Sequence, residues 1–328
     1  MSWLKPVEKI YQLAGLAKKF LYQQELLAIE TLPVPVISVG NLSFGGSGKT
    51  PTGVFLEKQF SSEKKICIVS KSYKAKASVP GRVIAHQAGS ASIFGDEAQL
   101  LARLLKDFPQ CEVWSGPHKT ETAKACLASE PDLIIIDDGF SHYKLKRNFD
   151  LVLVDATQAF RDYQREPLDS LRRADAILIT KENLVKHHEA EELKNKIQVQ
   201  VPFSEDKLFS AQSEVGLDIA PNTPLFLFCG LARPESVLES LKRSGYNVVG
   251  SLFFSDHQHY GMKQKKEIEQ TRARLLKNHQ NLVVISTEKD AVKINSEQFG
   301  FEVLCIRHEL TLSETDRKRL VEKIRKSF

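Results

Sequence analysis

The chain has 328 residues, of which 42% are hydrophobic and 27% charged, and its formal net charge is +5 at pH 7. This length and composition predict one large domain or two ordinary ones and exclude a disordered chain, while five scattered cysteines without a C-x-x-C pair favour a reducing compartment over a disulfide framework or zinc site. The mild positive charge suits an anionic ligand or an anionic membrane surface, and it is far from the charge of a dedicated nucleic-acid-binding protein.

Residues 1–30 are predicted to form one amphipathic helix, with lysines beside its apolar face. The longest charge-free stretch, residues 10–17, is too short to span a bilayer, and the segment has no small-residue cleavage site. Two interpretations stay open. The helix packs on the protein's own core, or it lies in a membrane interface with its lysines on anionic headgroups. The apolar positions are Trp3, Leu4, Val7, Ile10, Ala14, Ala17 and Leu21.

A glycine-rich loop follows a β-branched run over residues 34–39, which is predicted to be a buried strand. A strand, such a loop and then a helix are the context of a phosphate-binding loop, in which backbone N–H groups and the helix N-terminus bind phosphate oxygens. Lys49 is predicted to reach the β- and γ-phosphates and Thr50 to ligate Mg2+. A chance glycine-rich turn is the alternative, because Ser43 stands where the strict spacing requires glycine. The predicted nucleotide-binding residues are Gly45, Gly46, Ser47, Gly48, Lys49, Thr50 and Pro51.

A helix is predicted over about residues 51–60, with Pro51 in its first turn, and a second strand over 65–70. That strand leads into a basic loop, 71–76, which could border the phosphate site. Asp96 precedes an amphipathic helix predicted over 98–107. By position Asp96 is an ordinary helix N-cap, and a catalytic carboxylate in that place would look the same, so both interpretations stay open.

The run from 131 to 139 places Asp137 and Asp138 at the end of an apolar strand. A carboxylate there emerges beside the phosphate loop and holds Mg2+ directly or through water. Two adjacent aspartates repel each other, so a metal or a raised pKa is expected. The alternative is a polar turn at a strand end. Together with Lys49 and Thr50, the pair predicts a site for a nucleoside triphosphate.

Further strands are predicted over 150–155 and 176–180. Strands that alternate with helices indicate a doubly wound, mostly parallel α/β sheet, with ligands at the carboxyl ends of its strands. Arginines between these strands, at positions 165, 172 and 173, could clamp phosphates or lie on a solvated helix face. The run 180–183 is similar to the guanine-reading motif of GTPases, but Asn183 replaces the base-reading aspartate, which weakens a GTP interpretation.

Residues 184–222 are predicted to be helical and then irregular, with a domain junction near 200–222. The second α/β unit then has predicted strands over 225–230, 246–254, 282–286 and 303–306, and helices over 234–244, 263–278 and 313–327. Within it, a loop at 255–260 carries His257 and His259, one of which could act in proton transfer over the nucleotide site. The predicted division is therefore 1–30, a nucleotide-binding core over 31–210, and a smaller C-terminal α/β domain over 211–328.

The sequence around the glycine-rich loop, residues 38–51, resembles the signature of the tetraacyldisaccharide 4'-kinases, the lipid A 4'-kinases of Gram-negative bacteria. That family also has Ser or Thr at the position of Ser43. Two departures stand out: Lys71-Ser72 replaces the family's usual Arg-Gly and loses the bidentate fork, and Ser141 replaces a glutamine and its hydrogen bond. The likeness continues in chain order through residues 95–98, 136–142, 165–168, 172–175, 228–235, 256–260 and 287–292.

The resemblance implies a P-loop NTPase-like fold and transfer of phosphate from ATP, with Mg2+, to the 4'-hydroxyl of an acylated glucosamine disaccharide 1-phosphate. It implies that Asp96 orients or deprotonates the sugar hydroxyl with His257 as its partner, while Lys49 acts on the phosphates. Thr50, Asp137 and Asp138 then position Mg2+. The lipid substrate places the protein at the cytoplasmic face of the inner membrane, held by the N-terminal helix. No nucleic acid and no obligate protein partner are expected.

Two other classes of function compete with this kinase. A nucleotide-gated switch or GTPase without a lipid acceptor is favoured by Thr180-Lys181 and opposed by Asn183. A peripheral membrane scaffold with a degenerate nucleotide site is opposed by the intact Lys49, Thr50 and paired aspartates.

Overall fold

The computed structural model describes residues 21–22, 24, 26–42, 47–72, 75–85, 90–158, 166–201, 206–231, 233–256, 258–294 and 299–328. Most of the helix predicted over 1–30 lies outside these ranges, as do Gly45, Gly46 and His257. The predicted end of that helix at residue 30 is wrong, because residues 26–29 are not helical and Glu30 forms an isolated parallel bridge with Leu145. Within them, no helix is both long enough and apolar enough to cross a membrane.

Twelve strands of the described residues form one continuous sheet in the order β10-β9-β11-β12-β8-β7-β6-β1-β5-β2-β4-β3. Neighbours pair in parallel except β3 with β4 and β8 with β12, which are antiparallel. The strands are β1 Val36–Asn41, β2 Ile66–Lys71, β3 Gly81–Arg82, β4 Cys111–Gly116, β5 Leu133–Asp137, β6 Phe149–Asp155, β7 Ala176–Thr180, β8 Leu208–Gly216, β9 Leu225–Cys229, β10 Val248–Phe253, β11 Val283–Thr287 and β12 Val303–Leu312.

The central strands are apolar on both faces because helices cover both sides of the sheet. Ile37 on β1 packs in one core cluster with Phe55 of the following helix, whereas Val36 and Ile134 pack in another cluster. The described α-helices are α1 Lys49–Phe60, α2 Ser90–Phe94, α3 Asp96–Leu104, α4 Lys119–Cys126, α5 His187–Gln200, α6 Pro234–Arg243, α7 Met262–Leu276, α8 Glu288–Ala291 and α9 Glu314–Arg325. The mostly parallel, doubly wound sheet predicted from the sequence is confirmed.

One strand, β8, lies in the region predicted to be irregular. Its polar residues alternate with buried Phe209, Ala211 and Val215, so the segment looks like a linker in sequence. It pairs with β7 on one side and β12 on the other, and it thereby joins the two halves into a single sheet. The predicted boundary at residue 210 falls inside β8. The division into domains remains a prediction.

Candidate functional site

The predicted phosphate-binding loop connects β1 to α1, at the carboxyl end of the central strand. Gly48 precedes the helix with φ of +91°, a left-handed conformation that side-chain-bearing residues rarely adopt. The hydroxyl of Thr180 donates to the Ser47 carbonyl at 3.0 Å and fixes the end of the loop to β7. No described side chain caps α1, so its first N–H groups are available to an anion. Lys49, Thr50 and Pro51 form the first turn, so the helix predicted from about residue 51 begins two residues earlier, with Pro51 in its first turn as predicted.

The paired aspartates follow β5, which lies beside β1. Asp137 is the last residue of β5 and stands opposite Val39 in register. The backbone then turns sharply: Asp138 has φ of +53°, and the Gly139 N–H donates to the Val39 carbonyl at 3.2 Å. A left-handed conformation is costly for a residue other than glycine and is often found at functional sites. The turn keeps both carboxylates beside the start of α1.

Two lysines converge on Asp138. The Lys49 ammonium lies 3.6 Å from one carboxylate oxygen, and the Lys119 ammonium lies 3.8 Å from the other. Lys119 is the first residue of α4, its side chain is buried, and it also donates to the Asp138 carbonyl. The sequence interpretation missed Lys119, because a single lysine at a helix start carries no distinguishing pattern.

Asp137 is buried in a region of excess negative charge. The pKa of its carboxyl is raised to about 6, first by burial and then by the nearby Glu97 carboxylate, while Lys49 and Lys119 oppose that rise. Ser70 donates a hydrogen bond to Asp137 across 3.4 Å. The predicted raised pKa is therefore present, and Glu97 is a second charged residue whose part in the site the sequence did not reveal.

The oxygens of Thr50, Asp137 and Asp138 are hard donors of the type that Mg2+ prefers. The described part of the chain holds no group of three or more His, Cys, Asp or Glu side chains arranged for a metal ion. Mg2+ in proteins takes one or two carboxylates and completes its shell with substrate phosphates and water. The residues present fit Mg2+ bound together with a nucleotide.

Asp96 is not the N-cap that its position in the sequence indicated. Gly95 occupies the N-cap, with φ of +97°, and Asp96 is the first residue of α3. Its carboxylate faces the C-terminal half of the chain, where the Lys293 ammonium lies 3.9 Å away. Asp256 forms an ion pair with Lys289 at 3.4 Å. The pairing of Asp96 with His257 or His259 stays a prediction, because His257 lies outside the described residues.

Ser141, which stands where the family has a glutamine, makes a hydrogen bond of its own, and the predicted loss of the glutamine's bond stays a prediction. The Ser141 hydroxyl donates to Glu166 at 2.6 Å, and the Arg173 guanidinium donates to the other oxygen of the same carboxylate at 2.5 Å. Arg173 also stacks on the Phe140 ring, 4.0 Å from its centroid. Arg172 donates to the Gln200 carbonyl at 2.8 Å. Arg173 is thus packed in the structure, while Arg165 lies outside the described residues.

The run similar to a guanine-reading motif is engaged in protein contacts. The Lys181 ammonium donates to buried Asp155 at 2.7 Å. The Asn183 side chain donates to the Ser213 carbonyl and accepts from the Ser213 N–H, both at 3.0 Å. Asn183 therefore fixes this turn to β8, which weighs against the GTPase alternative.

Comparison with known proteins extends these observations over the whole chain. The family model described as tetraacyldisaccharide-1-P 4'-kinase, LpxK, matches residues 1–328. The tetraacyldisaccharide 4'-kinase of Bdellovibrio bacteriovorus is 32% identical over 339 aligned residues, with 98% of each chain covered. That of Aquifex aeolicus is 31% identical over 336 residues, also with 98% of each chain covered.

A crystal structure of the "apo" form of LpxK from Aquifex aeolicus in complex with ATP matches the fold with a TM-score of 0.75. The match covers 100% of this chain and 99% of that one, at 26% identity in the structural alignment. The resemblance found in the sequence motifs is confirmed. Because the family model spans every residue and the relatives are covered nearly end to end, this chain belongs to the tetraacyldisaccharide-1-phosphate 4'-kinase family.

Proposed function

We propose that this protein transfers the γ-phosphoryl group of ATP to the 4'-hydroxyl of a tetraacyldisaccharide 1-phosphate, an acylated glucosamine disaccharide, in lipid A biosynthesis. The observation that carries the proposal is the meeting of Lys49, Lys119 and Asp138 at the uncapped start of α1. Such an arrangement of cations, N–H groups and carboxylates binds a triphosphate and its metal. The names of the matched relatives supply the acceptor.

ATP binds through the loop over residues 45–51, whose N–H groups surround the phosphates. The Lys49 ammonium, 3.6 Å from Asp138, is placed to contact the phosphates. Lys119 provides a second positive charge at Asp138, because its ammonium contacts both the carboxylate and the carbonyl of Asp138. Thr50, Asp137 and Asp138 would hold Mg2+, which supplies charge neutralisation at the phosphates.

Asp96 accepts the proton of the acceptor. The 4'-oxygen attacks the γ-phosphorus, the bond from that phosphorus to the bridging oxygen breaks, ADP leaves, and the hydroxyl proton passes to the Asp96 carboxylate. Positioning and charge neutralisation supply most of the rate in such transfers, so one carboxylate with its partners is sufficient. His257 is the proposed partner of Asp96, and closure of the unit over 211–328 on the nucleotide would bring them together.

The segment over residues 1–30, most of which is predicted to be an amphipathic helix, places the active site at the cytoplasmic face of the inner membrane. Support comes from exposed apolar side chains near the end of this segment, Leu26 at 67% and Ile29 at 44% exposure, in a stretch that is not helical. Together with the lysines of the same segment they suit peripheral attachment, with apolar side chains in lipid and cations on anionic headgroups. The net charge of +5 suits that surface.

A phosphotransfer assay in mixed micelles tests the proposal directly. Purified protein is incubated with γ-labelled ATP, Mg2+ and a lipid disaccharide 1-phosphate, and label is expected on the 4'-position of the lipid. Lys49→Met and Asp96→Asn should each lower turnover by about 10²- to 10³-fold, whereas Lys265→Met, which removes a surface ion pair on α7, should not. Hydrolysis of GTP without any dependence on the lipid would instead support the switch alternative.

A further inference from the structure

Lys293 connects the two halves of the chain at the proposed catalytic carboxylate. It follows α8 in the C-terminal half, and its side chain is only 4% exposed. Its ammonium lies 3.1 Å from Asp290 and 3.9 Å from Asp96, the first residue of α3 in the other half. Among the described residues it is thus in ion-pair contact with two carboxylates while donating no well-directed hydrogen bond to either.

Asp290 is a fixed anchor for that ammonium. Its side chain is completely buried, and one oxygen accepts from the Gly230 N–H at 3.0 Å and from the Thr287 hydroxyl at 2.7 Å. The Lys293 ammonium also lies over the Tyr260 ring, 5.8 Å from its centroid, in a cation–π contact. Because two hydrogen bonds hold the Asp290 carboxylate in place, the ammonium beside it has a defined position from which it attracts Asp96.

We infer that Lys293 is a positioning residue for phosphoryl transfer, and that its ammonium, held by Asp290, orients the Asp96 carboxylate for the acceptor hydroxyl. This inference rests on the proposed function. Without the cation, Asp96 and Asp290 would repel each other across a poorly solvated space, and Asp96 would turn away from the cleft. The cation therefore favours the correctly oriented Asp96 carboxylate in the state that precedes transfer.

The same contact makes the base depend on the relative placement of the two halves. Beside it, the Arg103 guanidinium on α3 donates to the Ala291 carbonyl on α8 at 3.0 Å. These two contacts join the helix that carries Asp96 to the segment that carries Lys293. Asp96 is consequently oriented when α3 and α8 are in contact, and it loses that constraint when they separate.

A double-mutant cycle separates this role from a merely structural one. Lys293→Met alone would leave Asp290 buried without a counter-charge, so the test variant is Lys293→Met combined with Asp290→Asn. The amide oxygen of the asparagine can still accept from Gly230 and Thr287, and thermal unfolding checks that this variant folds. Turnover of lipid acceptor, the KM for ATP and product formation are measured with and without Asp96→Asn.

The paired variant is expected to lower kcat by about 10- to 100-fold with the KM for ATP changed less than about twofold. In the Asp96→Asn background it should lower kcat no further, and Lys293→Arg, which keeps the charge, should retain more activity than the paired variant. Wild-type kcat in the folded paired variant, or an equal loss in both backgrounds, overturns the inference. Failure of the wild-type protein to phosphorylate the lipid refutes the proposed function instead, whatever the variants do.

Discussion

Two buried aspartates, each at the carboxyl end of a parallel strand, differ in what surrounds them. Asp290, just after β11, receives hydrogen bonds from Gly230 and Thr287 and contacts the Lys293 ammonium. Asp137, at the end of β5, accepts one hydrogen bond from Ser70 at 3.4 Å, and its pKa rises to about 6, first because it is buried and then because Glu97 lies near.

The difference separates a carboxylate that supports the fold from one that serves a ligand. The protein supplies Asp290 with two donors on one carboxylate oxygen and with an ammonium 3.1 Å from the other, so its charge is compensated by the protein itself. It leaves Asp137 short of donors and among like charges, a cost that a bound cation would relieve. In the sequence both are simply aspartates that follow an apolar strand.

The largest effect is expected when Asp290 loses its charge. Asp290→Asn leaves the Lys293 ammonium buried with a weaker counter-charge, so the free energy of unfolding should fall by about 3 kcal/mol in urea titrations. Adding Lys293→Met should recover most of that loss, because the unpaired charge is then gone. A single variant within about 0.5 kcal/mol of wild type would contradict the role of Asp290 as an anchor.

At Asp137, loss of the charge is expected to raise the free energy of unfolding rather than lower it. In buffer without nucleotide or Mg2+ at pH 8, Asp137→Asn should raise the free energy of unfolding by about 2 kcal/mol, because an ionised carboxylate is removed from a buried and acidic place. Lipid phosphorylation should fall sharply in the same variant. Asp132→Asn, at the start of β5, is the control, since its asparagine can still accept from the Lys65 N–H. Destabilisation by Asp137→Asn would show that the comparison of the two aspartates is wrong.

Local pattern was enough to predict much of the molecule. Continuous apolar runs bounded by turns marked the strands around the site, and the glycine-rich loop with Lys49 and the Asp137–Asp138 pair could be found because each lies within a few residues of a strand end. The end of a parallel strand is a place that the fold itself brings into the cleft. These predictions needed no knowledge of which strands are neighbours.

The features that the sequence pattern did not predict depend on contacts between residues far apart in the chain. Lys119 and Lys293 contact Asp138 and Asp96 only because the fold brings distant parts of the chain together. No local feature of the sequence distinguishes them from surface lysines. β8 forms despite having few apolar residues, because it pairs with β7 on one side and with β12 on the other. The position of Asp96 within α3, rather than before it, depends on Gly95 taking the cap. Context of this kind overrides local preference.

Glu288 is a third carboxyl group to compare with Asp290 and Asp137, and its effect on stability is expected to depend on pH. Burial raises its pKa to about 7, with a hydrogen bond from the His308 N–H and the Arg307 charge opposing that rise and Glu309 adding to it. The pKa of Glu288 is higher in the folded protein than the value of about 4.5 in the unfolded chain. The stability that Glu288 contributes is therefore fully present below about pH 4.5 and is lost as the pH rises through 7.

Glu288→Gln should therefore gain stability relative to wild type by on the order of 1–2 kcal/mol between pH 5 and pH 8, a figure reduced from the full shift because the side chain is partly exposed. Urea titrations of both proteins at the two pH values measure this difference. The exposed Glu267→Gln on α7 is the control and should show no such change. A constant difference across that range would mean that Glu288 is solvated like a surface acid.

The smallest effect is expected at Asn183, where a structural contact occupies a residue that a GTPase would use on the base. Asn183→Asp restores the aspartate of the guanine-reading motif but removes the amide that donates to the Ser213 carbonyl. A carboxylate oxygen, which is an acceptor, then lies opposite that carbonyl oxygen. Stability should fall by about 0.5–1 kcal/mol, while the preference for ATP over GTP in the lipid assay stays unchanged. Asn278→Asp, on the exposed end of the α7 region, makes the same charge change without a strand contact to lose. If Asn183→Asp phosphorylated the lipid with GTP and Asn278→Asp did not, the nucleotide base would have to bind beside residue 183. Asn183 would then contact the ligand rather than only support the fold.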